Sequence, residues 1–294
     1  MDISLVEIKQ DRPGFDRFIG SWVCRDDKTL LIDVGPARTA GRLLASLDEM
    51  GVERVDYVLI THIHLDHAGA LAPVLERYPM ARAVCHQKAV KFLVDPSTLW
   101  EGSLKVLGEV AQAYGRPGPV LPEKIIPHPH MALDGLVVVD TPGHAAHHLS
   151  FSYKKRLFAG EAAGNFTMVG EESYLRPATP PRFFFHVSTQ SLDRLLALED
   201  QPIYFAHFGR GGASHPLLER YRRQLVRWRE IIGREMPLAG DDAVMHCFQV
   251  LLEEDPDLGA FRRMDASMQQ REMFFLRNSI QGFMGFLSDQ PQAP

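Results

Sequence analysis

Cysteine is scarce: Cys24, Cys85 and Cys247 are the only three in 294 residues, widely spaced and odd in number. That excludes a disulfide framework and makes each a small buried hydrophobe, with a reducing, cytoplasmic setting as the default expectation. Long hydrophobic runs are missing as well, for none reaches the ~18 residues of a membrane span. The opening MDISLVEIKQDRPG has neither a basic stretch nor an apolar one, so no secretory signal is expected. Charge of one sign is not in excess: 32 Lys and Arg stand against 37 Asp and Glu, a formal net charge of −5. Such a chain does not advertise a nucleic-acid partner. With 23 Gly and 20 Pro it is not of low complexity either. What remains is an ordinary globular balance of 45% hydrophobic and 23% charged residues, enough to bury a sizeable core.

Residues 20–34 read as two strands around Asp26-Asp27, ended by Gly35-Pro36. Leu43, Leu44, Leu47 and Met50 have helical spacing. Val55 to Ile60 is a buried strand, and from Asp66 the pattern turns helical again. Residues 81–85 read as a strand and 86–116 as mostly helix. Leu136 to Asp140 is a strand, and two more flank the Lys154-Lys155 turn as a hairpin. Residues 164–186, with their prolines and Phe183-Phe184-Phe185, read as irregular. Ser188 to Ala197 follows as a helix and Pro202 to Phe205 as a strand. Beyond Gly211-Gly212 only helical periodicity is left, at Leu217, Tyr221, Leu225, Trp228 and Ile232, then over 241–254, then from Leu276 to Leu287. The expected organisation is an α/β domain over 1–212 and a helical cap or small domain over 213–294, with Gln290 to Pro294 frayed.

Thirteen histidines are unevenly spread, and the densest run is Thr61-His62-Ile63-His64-Leu65-Asp66-His67. It lies between a strand and a helix, at the carboxyl end of the strand, where open α/β sheets bind ligands. His62 and His64 are two apart and point the same way in extended backbone, whereas Asp66 and His67 begin the helix and face differently. One loop can therefore serve two adjacent ions, and imidazole with carboxylate suits zinc, iron or manganese.

THIHLDH, preceded by LLIDVG and followed in order by TPGHAAHHLS, FAGEAAG and YFAHFG, resembles the metallo-β-lactamase superfamily over about residues 18–212. The resemblance implies an αβ/βα four-layer sandwich with the metals at one edge of its two sheets. It implies His62, His64 and His144 on a first metal, Asp66, His67 and His207 on a second, and Glu161 bridging them. Most dinuclear members have Asp at the bridging position, a methylene shorter. The β-lactamases proper lack that acid, and the redox diiron members carry Glu where this chain has His64, so neither class is expected. Two divalent ions, zinc ahead of iron or manganese, sharing a water at about 3.5–4 Å would generate hydroxide near neutral pH. Asp66 would also orient that nucleophile.

Asp33, Asp56 and Thr61 are the nearby groups that could fix the imidazole tautomers. Asn165, Tyr174, His186 and His148 are candidates for touching substrate, although His148 fits a supporting role behind the ligands better. His128 and His130 read as a surface loop ahead of a separate metal pair. His86 has no partner in view, and His215 and His246 read as structural. Arg220, Arg222, Arg223, Arg227, Arg229 and Arg234 read as a solvated helix face paired with Glu219 and Glu230. The expected function, by resemblance to glyoxalase II-like and lactonase-like members, is metal-dependent hydrolysis of a small ester-like substrate, thioester or lactone before phosphodiester. The expected partners are a small molecule, no nucleic acid, no membrane, and a second copy through the C-terminal helices. Two alternatives stand beside this: a sulfur or persulfide dioxygenase-like enzyme with one iron on His62, His64 and His144, and a metal-holding sensor or effector with weak hydrolysis.

Overall fold

The computed structural model describes residues 1–238 and 240–289. The tail expected to fray, from Gln290, lies outside the described residues. The chain divides into two compact units, one of Met1–Asp140 with His147–Lys154, the other of Thr141–Ala146 with the chain from Lys155 onward.

The first unit is built on a six-stranded sheet in sequence order: β1 (Asp2–Glu7), β2 (Gly20–Arg25), β3 (Thr29–Ile32), β4 (Tyr57–Leu59), β5 (Arg82–Cys85) and β6 (Ile125–Pro127). The first three strands are antiparallel and the run from β3 to β6 is parallel. Parallel strands covered on both faces need apolar residues at every position, and Leu30, Leu31, Val58, Leu59, Ala83 and Val84 are wholly buried. Helices α1 (Ala40–Glu49), α2 (Leu65–Ala68), α3 (Leu71–Arg77), α4 (Val90–Val94), α5 (Ser97–Leu107) and α6 (Glu109–Tyr114) connect the strands. In α1 and α3 the residues that go inside are Leu43 and Leu47, and Leu71, Val74 and Leu75. An antiparallel pair, β7 (Leu136–Asp140) and β8 (Leu149–Tyr153), completes this unit.

In the second unit β9 (Leu157–Gly160) runs parallel to a later strand, β12 (Ile203–Phe205), which pairs antiparallel with β13 (Arg210–Gly211). Between them lies a hairpin of β10 (Asn165–Val169) and β11 (Glu172–Arg176), so the reading of 164–186 as irregular is corrected over its first half. Gly170, at φ +61°, supplies the turn between the two strands. Helix α7 (Phe185–Leu196) follows, then α8 (Ser214–Glu235), α9 (Ala243–Glu254) and α10 (Ala266–Ser288). Leu218, Tyr221, Leu225, Trp228 and Ile232 form the inner face of α8. Its arginines mostly find acids from elsewhere: Arg227 bonds to Asp255 and Asp257, Arg220 to Asp257 and Arg222 to Asp193, while Arg222–Glu219 matches the expected pairing along the helix. Arg176 and Glu272 form an ion pair in which both side chains are buried.

The α/β class and the closing run of helices are as the sequence indicated. The strand at the N-terminus and the short β6 carried no recognised pattern. All three cysteines are buried and no disulfide joins them. No helix among the described residues is long and apolar enough to cross a membrane.

Candidate metal centre

Four of the expected ligands lie on the loop that leaves β4 and opens α2, at the carboxyl end of a central parallel strand. The loop is held from two sides, by Leu149 N–H donating to the Thr61 carbonyl (2.7 Å) and Val34 N–H donating to that of His67 (2.7 Å). His62 Nε2 and His64 Nδ1 face each other at 3.0 Å. The rings of His62 and His67 are 4.1 Å apart, and Asp66 Oδ2 lies 3.7 Å from His67 Nε2. His62 and His67 are buried, whereas His64 and Asp66 are half-buried.

Asp33 organises this loop. It follows β3, the parallel neighbour of β4, and sits at φ +56°, a costly conformation for a residue with a Cβ. Its carboxylate accepts the Thr61 N–H (2.8 Å), the Thr61 hydroxyl (2.8 Å) and the Nδ1 proton of His67 (2.9 Å). The Thr61 hydroxyl spends its hydrogen on Asp33, so its oxygen accepts from His62 Nδ1 at 3.1 Å. Two imidazoles are thereby set as Nδ1–H tautomers, with the Nε2 lone pair turned toward the loop's interior. Asp33 and Thr61 thus play the orienting role expected of them. Asp56 does not: it accepts from Thr29 N–H, Lys28 and Arg54, none of them a histidine. The reason is position, because Asp56 precedes β4 and lies at the opposite end of that strand from the loop.

The second unit presents His144, Glu161 and His207. Glu161 is buried, and its two oxygens meet different imidazoles, Oε2 at 2.9 Å from His144 Nε2 and Oε1 at 3.4 Å from His207 Nε2. Burial opposes the carboxylate's charge, but the charge of His144 and His207, when these rings are protonated, outweighs it and holds Glu161 well below the usual carboxylate range. His144 Nδ1 donates to the Ala178 carbonyl at 2.6 Å, which again leaves the lone pair on Nε2. The Thr141-Pro142-Gly143 turn delivers this ring, with Gly143 at φ +149°.

These residues pass a chemical test for holding cations. A lone pair of His144 Nε2 against a carboxylate at 2.9 Å, like the facing nitrogens of His62 and His64, repels unless a proton or metal ion mediates. Donors bound to one metal at 2.0–2.2 Å stand about 3.0–3.5 Å from one another, the range of the spacings seen here. Each half suits divalent metal.

A third cluster fails the same test. His86, His128 and Asp140, at the ends of β5, β6 and β7, bring both Nε2 atoms to Asp140 Oδ1, at 3.2 and 3.4 Å. Here the Nδ1 atoms accept backbone N–H groups, His86 from Lys88 (3.0 Å) and His128 from Gln87 (3.2 Å). Each neutral ring therefore carries its proton on Nε2, and both protons point at Asp140. Neither ring then turns a nitrogen lone pair toward Asp140. The sequence reading that gave His86 no partner is corrected by this carboxylate from a distant strand. His130 does not join the cluster.

Among the substrate candidates, His148 is wholly buried with its ring 5.2 Å from His62. Tyr174 is buried beside Glu272, and burial followed by that charge raises its hydroxyl well above the ordinary range; it is a core residue. Asn165 is buried at the start of β10, and His186 lies in the first turn of α7 against Phe185 and Phe286. His215 bonds to the Leu198 carbonyl and His246 to Glu235, both structural. The Ala178 carbonyl went unread because a backbone group leaves no signature in side-chain spacing.

Residues 20–207 match the model of the metallo-β-lactamase superfamily, and the chain belongs to that family. The metallo-β-lactamase fold-containing protein ST1585 of Sulfurisphaera tokodaii is 29% identical over 223 residues, 71% of this chain and 78% of that protein. A hydroxyacylglutathione hydrolase of Photobacterium profundum is 26% identical over 233 residues, 75% of this chain and 77% of that one. The ST1585 crystal structure superposes with a TM-score of 0.68 at 22% identity, covering 96% of this chain and 98% of that one. That of the metallo-β-lactamase family protein TTHA1429 from Thermus thermophilus does so with a TM-score of 0.66 at 19% identity, covering 98% and 93%. The family and the histidine–carboxylate clusters make the protein hydrolase-like, with donors that suit a dinuclear metal site.

Proposed function

We propose that the protein is a dinuclear-metal hydrolase of a small ester-type bond, a thioester or lactone ahead of a phosphodiester. In this reading His62, His64 and His144 take one ion and Asp66, His67 and His207 the other, with Glu161 between them. The observation that supports it most is Glu161 itself, whose two oxygens each face the imidazole assigned to a different ion. Bound there, two divalent ions supply an activated water and a charge for the substrate's carbonyl oxygen.

The chain's own residues supply orientation. Asp33, directly and through Thr61, keeps the Nε2 lone pairs of His67 and His62 turned inward. The Ala178 carbonyl does this for His144. Asp66, half-buried next to His67, would also orient the nucleophile by a hydrogen bond. The thioester preference rests on the hydroxyacylglutathione hydrolase relative, whose name describes cleavage of an acylglutathione.

The test is metal stoichiometry and identity on protein purified without added metal, with a Glu161→Ala variant beside it. Two ions per chain, falling toward one or none in the variant, together with hydrolysis of thioester or lactone probes, is the expected result. One iron per chain, unchanged in the variant, and oxygen consumption with a thiol or persulfide substrate would overturn it in favour of the dioxygenase-like reading.

A further inference from the structure

We propose that Tyr221, on the helical segment that follows the α/β part of the chain, is a positioning residue for the metal centre. It steadies His144 through Ala178 and the Glu161 turn through Gly164. The inference rests on the reading of His144 and Glu161 as ligands.

Tyr221 lies on the inner face of α8 and is 2% exposed. Its ring is pressed against Gly164, where a Cβ would come within 2.6 Å of Cε2 and 2.9 Å of Cδ2. Gly164 has φ +74°, and its N–H donates to the Glu161 carbonyl at 3.1 Å, closing the turn that carries the bridging carboxylate. Only a residue without a side chain fits both the backbone conformation and the approach of the ring. The turn and the tyrosine are therefore matched surfaces, and displacing one displaces the other.

A shared cavity makes the second connection. Tyr221 borders the same small cavity as Ala178, whose carbonyl accepts the Nδ1 proton of His144. Ala178 thus stands between the tyrosine and the imidazole, which it holds with its carbonyl. Tyr221, His144, Glu161, Ala178 and Thr179 border one small cavity of about 10 Å³, at the lower limit of space for a single water. A leucine would fill the inner face of α8 as well, but it would bring neither a hydroxyl to the cavity beside Ala178 nor a ring against Gly164.

Orienting partners of metal-bound imidazoles change metal affinity by about 10–100-fold when removed. Tyr221→Phe keeps the ring and deletes the oxygen. Zinc affinity of the metal-free, full-length variant, measured by competition with a chromophoric chelator, should fall by about tenfold or more for one of two sites, with far-UV circular dichroism unchanged. The His144 Nδ1 proton, followed by NMR in metal-free protein, should exchange faster. Leu225→Val, further along the same buried face, separates positioning from packing. It should lower the unfolding temperature without moving zinc affinity. Zinc affinity of Tyr221→Phe within twofold of wild type, or an equal loss in Leu225→Val, overturns the proposal. Should wild type bind no zinc, the hydrolase reading fails while the proton exchange still decides the role of Tyr221: an unchanged rate rejects it and a faster one upholds it.

Discussion

The Asp33 carboxylate lies 2.9 Å from His67 Nδ1 at a residue held in left-handed backbone, φ +56°. That conformation is tolerated because both oxygens are used. Oδ1 receives the Thr61 amide, while Oδ2 receives the Thr61 hydroxyl and the imidazole. Backbone strain on β3 is in this way converted into fixed orientation on the neighbouring loop, where His62 and His67 both depend on it.

Asp33→Ala should therefore disturb two ligands at once. Zinc affinity should drop by roughly 10–100-fold, and Thr61→Val, which removes the hydroxyl between Asp33 and His62 but leaves the bond from Asp33 to His67, should cost less. Chelator competition on metal-free protein reads both. Equal losses in the two variants would show that Asp33 acts on the loop as a whole instead of through His67.

Glu161 tests length against charge. Its oxygens reach His144 and His207 at 2.9 and 3.4 Å. Glu161→Asp keeps the charge but retracts it by a methylene, and Glu161→Gln keeps the length but not the charge. Since two cations repel across the bridge, charge should matter more. Metal retained after desalting, measured by elemental analysis, should fall in the order wild type, Asp, Gln. Gln retaining more than Asp would assign Glu161 a steric role.

Much of this was readable from sequence because the donors are packed into short segments. THIHLDH puts four ligands on one loop, so strand and helix periodicity on either side was enough to locate it. Asp33 was readable for a related reason, as the residue ending the strand before the loop in LLIDVG. Contacts that depend on distant chain segments were not. His86 and Asp140 are 54 positions apart in sequence, and neither carries a local pattern that predicts the other. The β10–β11 hairpin escaped because its residues do not alternate: in β11, Tyr174, Leu175 and Arg176 are all buried. Helical spacing placed Tyr221 on the inner face of α8, but spacing cannot reveal that its ring meets Gly164 far upstream.

The His86 cluster predicts a pH effect independent of metal. Burial, then the neighbouring His128, lowers the proton affinity of His86, and Asp140 only partly opposes them. The unfolded chain, with an ordinary imidazole of pKa about 6.5, therefore takes up a proton before the folded one does. By linkage the stabilisation is complete above the unfolded value and is lost as pH falls through the lower folded value. Urea midpoints of metal-free protein should decline from pH 7 to pH 5, and His86→Gln should show a shallower decline. Parallel declines would mean that other groups set the acid limit.

Gly143 gives the last test, of the turn that delivers His144. Its φ is +149°, and a Cβ there would come within 2.4 Å of Ser188 Oγ and 3.1 Å of Ser188 Cα. The first clash involves a side chain and the second the backbone of α7, so removing the hydroxyl relieves only part of it. Gly143→Ala should lose about 1–3 kcal/mol of stability in denaturant unfolding. Adding Ser188→Ala should recover some of that but not all, because the backbone contact and the unfavourable φ remain. Full recovery in the double variant would place the whole constraint on the Ser188 hydroxyl, and no recovery would place it on the backbone alone. Zinc affinity should follow the same order as stability, since the displaced turn takes His144 with it.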